Sequence, residues 1–153
     1  MTLTNSEVIS TLDGLIETCR DGEIGYRDAA EGVVTAHLKD VFHQYSMQRT
    51  RDISDLQNEV RNFGGEPQKG GSLAGAVHRG WLNLKAAITG KDEETILAEC
   101  ERGEDVAVKT YEDALKKDLP ASVHGIVEYQ FTGVKEAHNR IRTLRDEMKN
   151  NKK

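Results

Sequence analysis

Two glutamates stand at matching places in this chain. Cys19-Arg-Asp-Gly22-Glu23 returns 81 residues later as Cys100-Glu-Arg-Gly103-Glu104, and both glutamates fall on the apolar stripe of a helical pattern. An ionised carboxylate in an apolar core is costly, so it pairs with a cation, takes up a proton or binds a metal. Arg49 offers the cation and can satisfy one of Glu23 and Glu104 or bridge both. Tyr26, Tyr45, Tyr111 and Gln130 can supply hydrogen bonds to the remaining oxygens. These seven residues make a closed polar network available without metal, one that would fix the register of the helices. The alternative is a reduced metal site of Glu23, Glu104, Asp52 and His138, holding iron or manganese.

Other reactive residue types carry less. Cys19 and Cys100, one turn from the glutamates, read as small buried hydrophobes. The glycine-rich stretch 64–71 lacks the following Lys-Ser/Thr of a phosphate loop. His124 and Glu128, four apart, read as a surface pair. No Ser/His/Asp arrangement follows from the spacing.

Helices must position these side chains. Thr4-x-x-Glu7 is a capping box that opens the first. Its seam runs through Ile9, Leu12, Ile16, Cys19, Tyr26, Ala30 and Val33. The second carries Phe42, Tyr45, Ile53, Leu56, Val60 and Phe63 and stops at Gly64-Gly65. Asp92 can cap another long helix, with Leu97, Cys100, Glu104, Ala107 and Tyr111 on its seam, and Pro120 opens the last. Helices are therefore expected over residues 4–32, 36–63, 72–89, 92–118 and 120–148, with no strands and a frayed Lys-Asn-Asn-Lys-Lys tail.

The repeat organises these elements. Its register pairs Tyr26 with Ala107 and Ala30 with Tyr111, so large and small residues exchange between the halves. That exchange suits two related helices facing each other in one core. Each half is a helical hairpin, and residues 64–91 join them. An eighteen-residue helix in that connection reaches about 27 Å, enough to run the length of a bundle. The expected fold is all-α: a single four-helix-bundle domain over residues 1–153, two hairpins with one long crossover containing a short extra helix.

The Asp-Gly-Glu-x-Gly-Tyr-Arg run at 21–27, Gly-Glu-Asp at 103–105, Tyr111 and the stretch His78-Arg79-Gly80-Trp81 resemble a bacterial ferritin-like four-helix-bundle family of unknown function. The chain is more distantly similar to rubrerythrin-like and ferritin proteins. That resemblance implies a ferritin-like arrangement. Di-iron sites on that scaffold take one Glu from each of two helices and Glu-x-x-His from each of the other two. Glu23 and Glu104 sit where the single glutamates belong, but the chain contains no Glu-x-x-His. Counting back through the hairpin turns puts Tyr45 and Arg49 near Glu23, and Gln130, Val134 and His138 near Glu104. A guanidinium at a ligand position repels a divalent metal.

The chain has 153 residues, 37% hydrophobic and 31% charged, with a net charge of −5. That balance excludes nucleic acid and anionic membranes as default partners, and no apolar run is long enough to span a bilayer. The N-terminus lacks the features of a signal peptide, and two cysteines make no disulfide framework, so a cytoplasmic setting is expected. The expected role is structural or stress-associated, as a homodimer without cofactor. The alternative is a metal-dependent oxidoreductase that keeps Glu23 and Glu104.

Overall fold

The computed structural model describes residues 2–67, 80, 81 and 83–151, and all regular structure among them is helical. The helices are α1 (Asn5–Gly32), α2 (Ala36–Asn62), α3 (Leu84–Thr89), α4 (Glu93–Leu115) and α5 (Ala121–Asn151). Thr4 and Glu7 form the expected capping box, each side chain accepting the other's backbone N–H, at 3.1 and 2.9 Å. At the end of α2 the Gly64 and Gly65 amides return to Arg61 and Val60, with Gly64 at φ +87°. That left-handed turn is one glycine makes without steric penalty. Asp92 accepts the Glu94 amide at 3.2 Å and caps α4.

The α1–α2 turn is closed from the other hairpin. Glu93 accepts the Val34 and Thr35 amides at 2.8 and 3.0 Å and the Thr35 hydroxyl at 2.6 Å. Thr35 stands at the N-cap of α2, but its hydroxyl donates to this carboxylate and caps nothing in its own helix. An ionised acceptor makes the stronger hydrogen bond.

Side-chain pairs fix the helix directions. Thr11, Cys19 and Val34 meet Lys117, Tyr111 and Glu93 in turn, so α1 runs antiparallel to α4. Gln130 reaches Asp52 while residues from 139 to 147 line a cleft with His37, so α2 runs antiparallel to α5. Each hairpin is antiparallel as well, giving an up-down-down-up order with the 63–92 connection running from one end to the other. Trp81 marks its middle, packed against Gly25 and Gly103, and Ile88 reaches Gly32 near its end.

The core divides into two apolar clusters. One contains Leu12, Cys19, Ile53, Leu56, Tyr111 and Val127, the other Tyr26, Phe42, Trp81, Leu97, Cys100 and Ile141. Tyr26 thus lies with Cys100, and Tyr111 with Cys19, each tyrosine beside the cysteine of the other half. Between the clusters lie Gly22, Arg49, Glu104 and Ala137, one from each long helix, all buried and belonging to neither.

Three boundaries differ from the sequence expectation, the simplest being that α4 ends at Leu115 rather than 118. The helix expected over 72–89 begins, among the described residues, only at Leu84, and most of its first half lies outside them. Residues 80, 81 and 83 are not helical, with Gly80 at φ +107°. A Cβ there would stand 2.8 Å from Val106 and 3.1 Å from the Gly103 backbone, so the crossover touches α4 too closely for a regular helix carrying side chains. The last helix continues to Asn151 rather than stopping at 148.

Candidate functional site

In the layer between the two clusters, two charged side chains meet among the described residues. Arg49 and Glu104 are 1% and 0% exposed, and Arg49 Nη2 donates to both Glu104 oxygens at 2.5 and 2.7 Å. Gly22 makes room for this pair, since a Cβ there would lie 2.8 Å from Arg49 Nη1. The Tyr26 ring stacks near the guanidinium, 5.7 Å from its carbon, and adds a cation–π contact. Burial disfavours charge on Arg49, but the Glu104 carboxylate and its hydrogen bond, together with the Tyr26 and Cys19 side chains, hold the guanidinium protonated. Burial, reinforced by Glu104, keeps Tyr26 a neutral phenol. Its hydroxyl lies close to Glu104 yet forms no well-aligned hydrogen bond, and Arg49 Nε has no acceptor among the described residues.

A second polar chain crosses the neighbouring cluster. Tyr111 donates its hydroxyl proton to Gln130 Oε1 at 2.8 Å, and Gln130 Nε2 donates to the Asp52 carbonyl at 3.2 Å. Cys19 Sγ lies 3.0 Å from the Tyr111 oxygen. With that proton committed to Gln130, the thiol is the donor. Burial pushes the Cys19 thiol up to about 12 and raises Cys100 as well, so neither supplies a thiolate nucleophile at neutral pH.

The remaining sequence candidates lie apart. Arg49 bridges to Glu104 alone: the Glu23 carboxylate turns towards solvent and accepts from the Thr50 hydroxyl at 2.5 Å, although Glu23 and Glu104 occupy equivalent places in the repeat. Tyr45 packs its ring on Tyr26 at 5.5 Å. His138 Nε2 contacts Asp105 Oδ1 at 2.6 Å between α4 and α5. Asp52 lines a groove of about 370 Å³ between α2 and α5, with Asp55, Gln130 and Glu136. No three of Glu23, Asp52, Glu104 and His138 bring ligand atoms within 4.8 Å of one another. With Arg49 also on Glu104, these residues do not fit an ion held in the core.

Asp52 gives a pH-dependent expectation. It is 8% exposed, and burial raises its carboxyl to about 6, against the lowering effect of Arg49. A carboxyl whose folded value lies above its unfolded 3.8 contributes its stability below that value and loses it as pH rises through about 6. At pH 8 the charged form should therefore cost up to about 3 kcal/mol, two pKa units at ~1.4 kcal/mol each. Asp52→Asn should raise the urea-unfolding free energy at pH 8 by that order, with the gain vanishing below pH 4. An equal gain at both pH values would contradict the burial of the charge.

Sequence reasoning missed the seat that Gly22 provides and the entry of Cys19 into the tyrosine chain. The signal for the first was present, since a glycine on a buried helical seam opposite an arginine marks a close approach. The second needed the antiparallel pairing of α1 and α4.

A family model described as Domain of unknown function (DUF2383) matches residues 7–117. No curated protein matches the chain.

Proposed function

The chain belongs to the DUF2383 family of unknown function, and from its core we propose a ferritin-like four-helix-bundle domain in which an ion pair takes the place of a di-iron centre. Its role is structural or stress-associated, in the cytoplasm, as a homodimer without a cofactor in its core. The up-down-down-up order with one end-to-end crossover supports the ferritin-like assignment. The observation that carries the functional reading is the Arg49 guanidinium on Glu104 in the layer between the two apolar clusters. A fixed positive charge there opposes any divalent ion at that carboxylate. Two of the scaffold's usual ligand motifs are missing as well, because no Glu-x-x-His occurs in the sequence. Exposed Met47 and Tyr129, on α2 and α5, are available as apolar contacts for a second copy.

What such a core offers is a unique helix register, fixed by a pair that is satisfied in one alignment only. The test is aerobic oxidation of Fe²⁺. Wild type should oxidise it no faster than buffer. Stoichiometric, protein-dependent oxidation that disappears in Glu104→Gln would overturn the proposal.

A further inference from the structure

We infer that Glu101, Asp105 and His138 form a transition-metal site on the outer face of the α4–α5 hairpin, separate from the core pair. Glu101 and Asp105 stand one helical turn apart on α4, and His138 faces them from α5. One ligand atom from each lies within 4.8 Å of the other two. The site is more than a patch of surface acids. His138 is 16% exposed and Glu101 14%, while Asp105, at 60%, forms the open side of the site. Glu101 Oε1 is buried and receives no aligned hydrogen bond among the described residues.

A cation already leans on this group: Arg145 Nε lies 3.2 Å from Glu101 Oε1. Arg145 Nη2 also lies 3.9 Å from Asp146, which gives the guanidinium an alternative partner when a metal ion displaces it. With a metal on His138 Nε2, the ring proton belongs on Nδ1, which faces Asn139 Oδ1 at 3.4 Å. A second partner of this kind orients a metal-binding histidine.

The donor set narrows the choice of ion. One imidazole and two carboxylates with a position left open suit Zn²⁺, whereas Mg²⁺ and Ca²⁺ favour all-oxygen sets. Bonds of about 2.0–2.2 Å to these ligands ask ligand atoms that already lie within 4.8 Å of one another to converge on one ion. A bound ion would clasp α4 to α5 opposite the core.

The test is titration of the metal-free full chain with Zn²⁺, followed by calorimetry and by thermal melting. One equivalent should bind at micromolar concentration and raise the melting temperature. His138→Ala and Asp105→Asn should each weaken binding at least tenfold, while His124→Ala, which alters the other histidine–carboxylate pair on α5, should leave it unchanged. Arg145→Ala should tighten binding by removing the competing cation. Binding only at millimolar Zn²⁺, or binding retained in both His138→Ala and Asp105→Asn, would overturn the site. So would weaker binding in Arg145→Ala. None of these outcomes bears on the core, because no titrated variant alters Arg49 or Glu104.

Discussion

Arg49→Met is expected to destabilise the protein by about 3–5 kcal/mol, the cost of leaving a buried charge without its partner. The substitution nearly conserves the length of the side chain and removes its charge. Glu104, 0% exposed, is then stranded between two apolar clusters. Tyr26 offers Glu104 only a neutral and misaligned hydroxyl in place of the cation, and its ring loses the guanidinium beside it. A second substitution should reverse much of the loss. In Arg49→Met/Glu104→Leu no charge remains in the layer, and an apolar pair of similar volume replaces the ion pair at little net cost. Urea unfolding of wild type, both single variants and the double variant measures the coupling. Single variants each destabilised by about 3–5 kcal/mol, because each leaves the other charge buried without its partner, with a double variant close to wild type, are the expected pattern. A mild Arg49→Met variant would contradict it. Glu23→Gln should be nearly neutral in the same series, because that carboxylate lies outside the layer.

The second large effect concerns Trp81. Its indole lies across α1 and α4, where a Cβ added to Gly25 or Gly103 would stand 2.4 or 2.3 Å from the ring. It also packs edge-on against Tyr26, with ring centroids 5.3 Å apart. Trp81→Ala should cost about 3–5 kcal/mol, the range for emptying a large aromatic site. Gly103→Ala should cost about 1–3 kcal/mol, because a rigid ring cannot yield as a flexible side chain would. Trp81 is the only tryptophan in the chain, so its fluorescence reports this site alone. Gly103→Ala should shift the emission to the red as the ring is pushed towards water. In the Trp81→Ala background the sign should reverse, since alanine gains about 1 kcal/mol of helix propensity over glycine once the ring is gone. Gly103→Ala that destabilises both backgrounds equally would show that the glycine serves something other than the ring.

These two sites mark how far the sequence could be read. The long helices were legible because their signals are local: the Thr4/Glu7 box, Gly64-Gly65, Asp92 and seams of period 3.6. The repeat around Cys19 and Cys100 went further, since the exchange of Tyr26 with Ala107 and of Ala30 with Tyr111 reads as two related helices sharing one core, although it does not place either tyrosine beside a cysteine. Arg49 and Glu104 could be named as possible partners, but the choice between Glu104, Glu23 or both could not. That choice depends on a rotation of α1 that turns Glu23 outwards while Gly22 faces the arginine, and two adjacent residues on a helix differ in facing by about 100°. The single crossover also breaks the symmetry that the repeat suggests. Trp81 covers Gly103, whereas Arg49 covers its counterpart Gly22. The Gly80 turn was lost for a related reason, since close approach of the crossover to α4 is a tertiary fact and overrides helix propensity.

Crystals grown in the presence of Fe²⁺ or Mn²⁺, with anomalous scattering recorded at the metal edge, test the central claim most directly. The core account predicts a guanidinium on Gly22 with both Glu104 oxygens at hydrogen-bond distance, and no anomalous peak at that carboxylate. An anomalous peak coordinated by Glu104, with Arg49 turned away from it, would contradict the account.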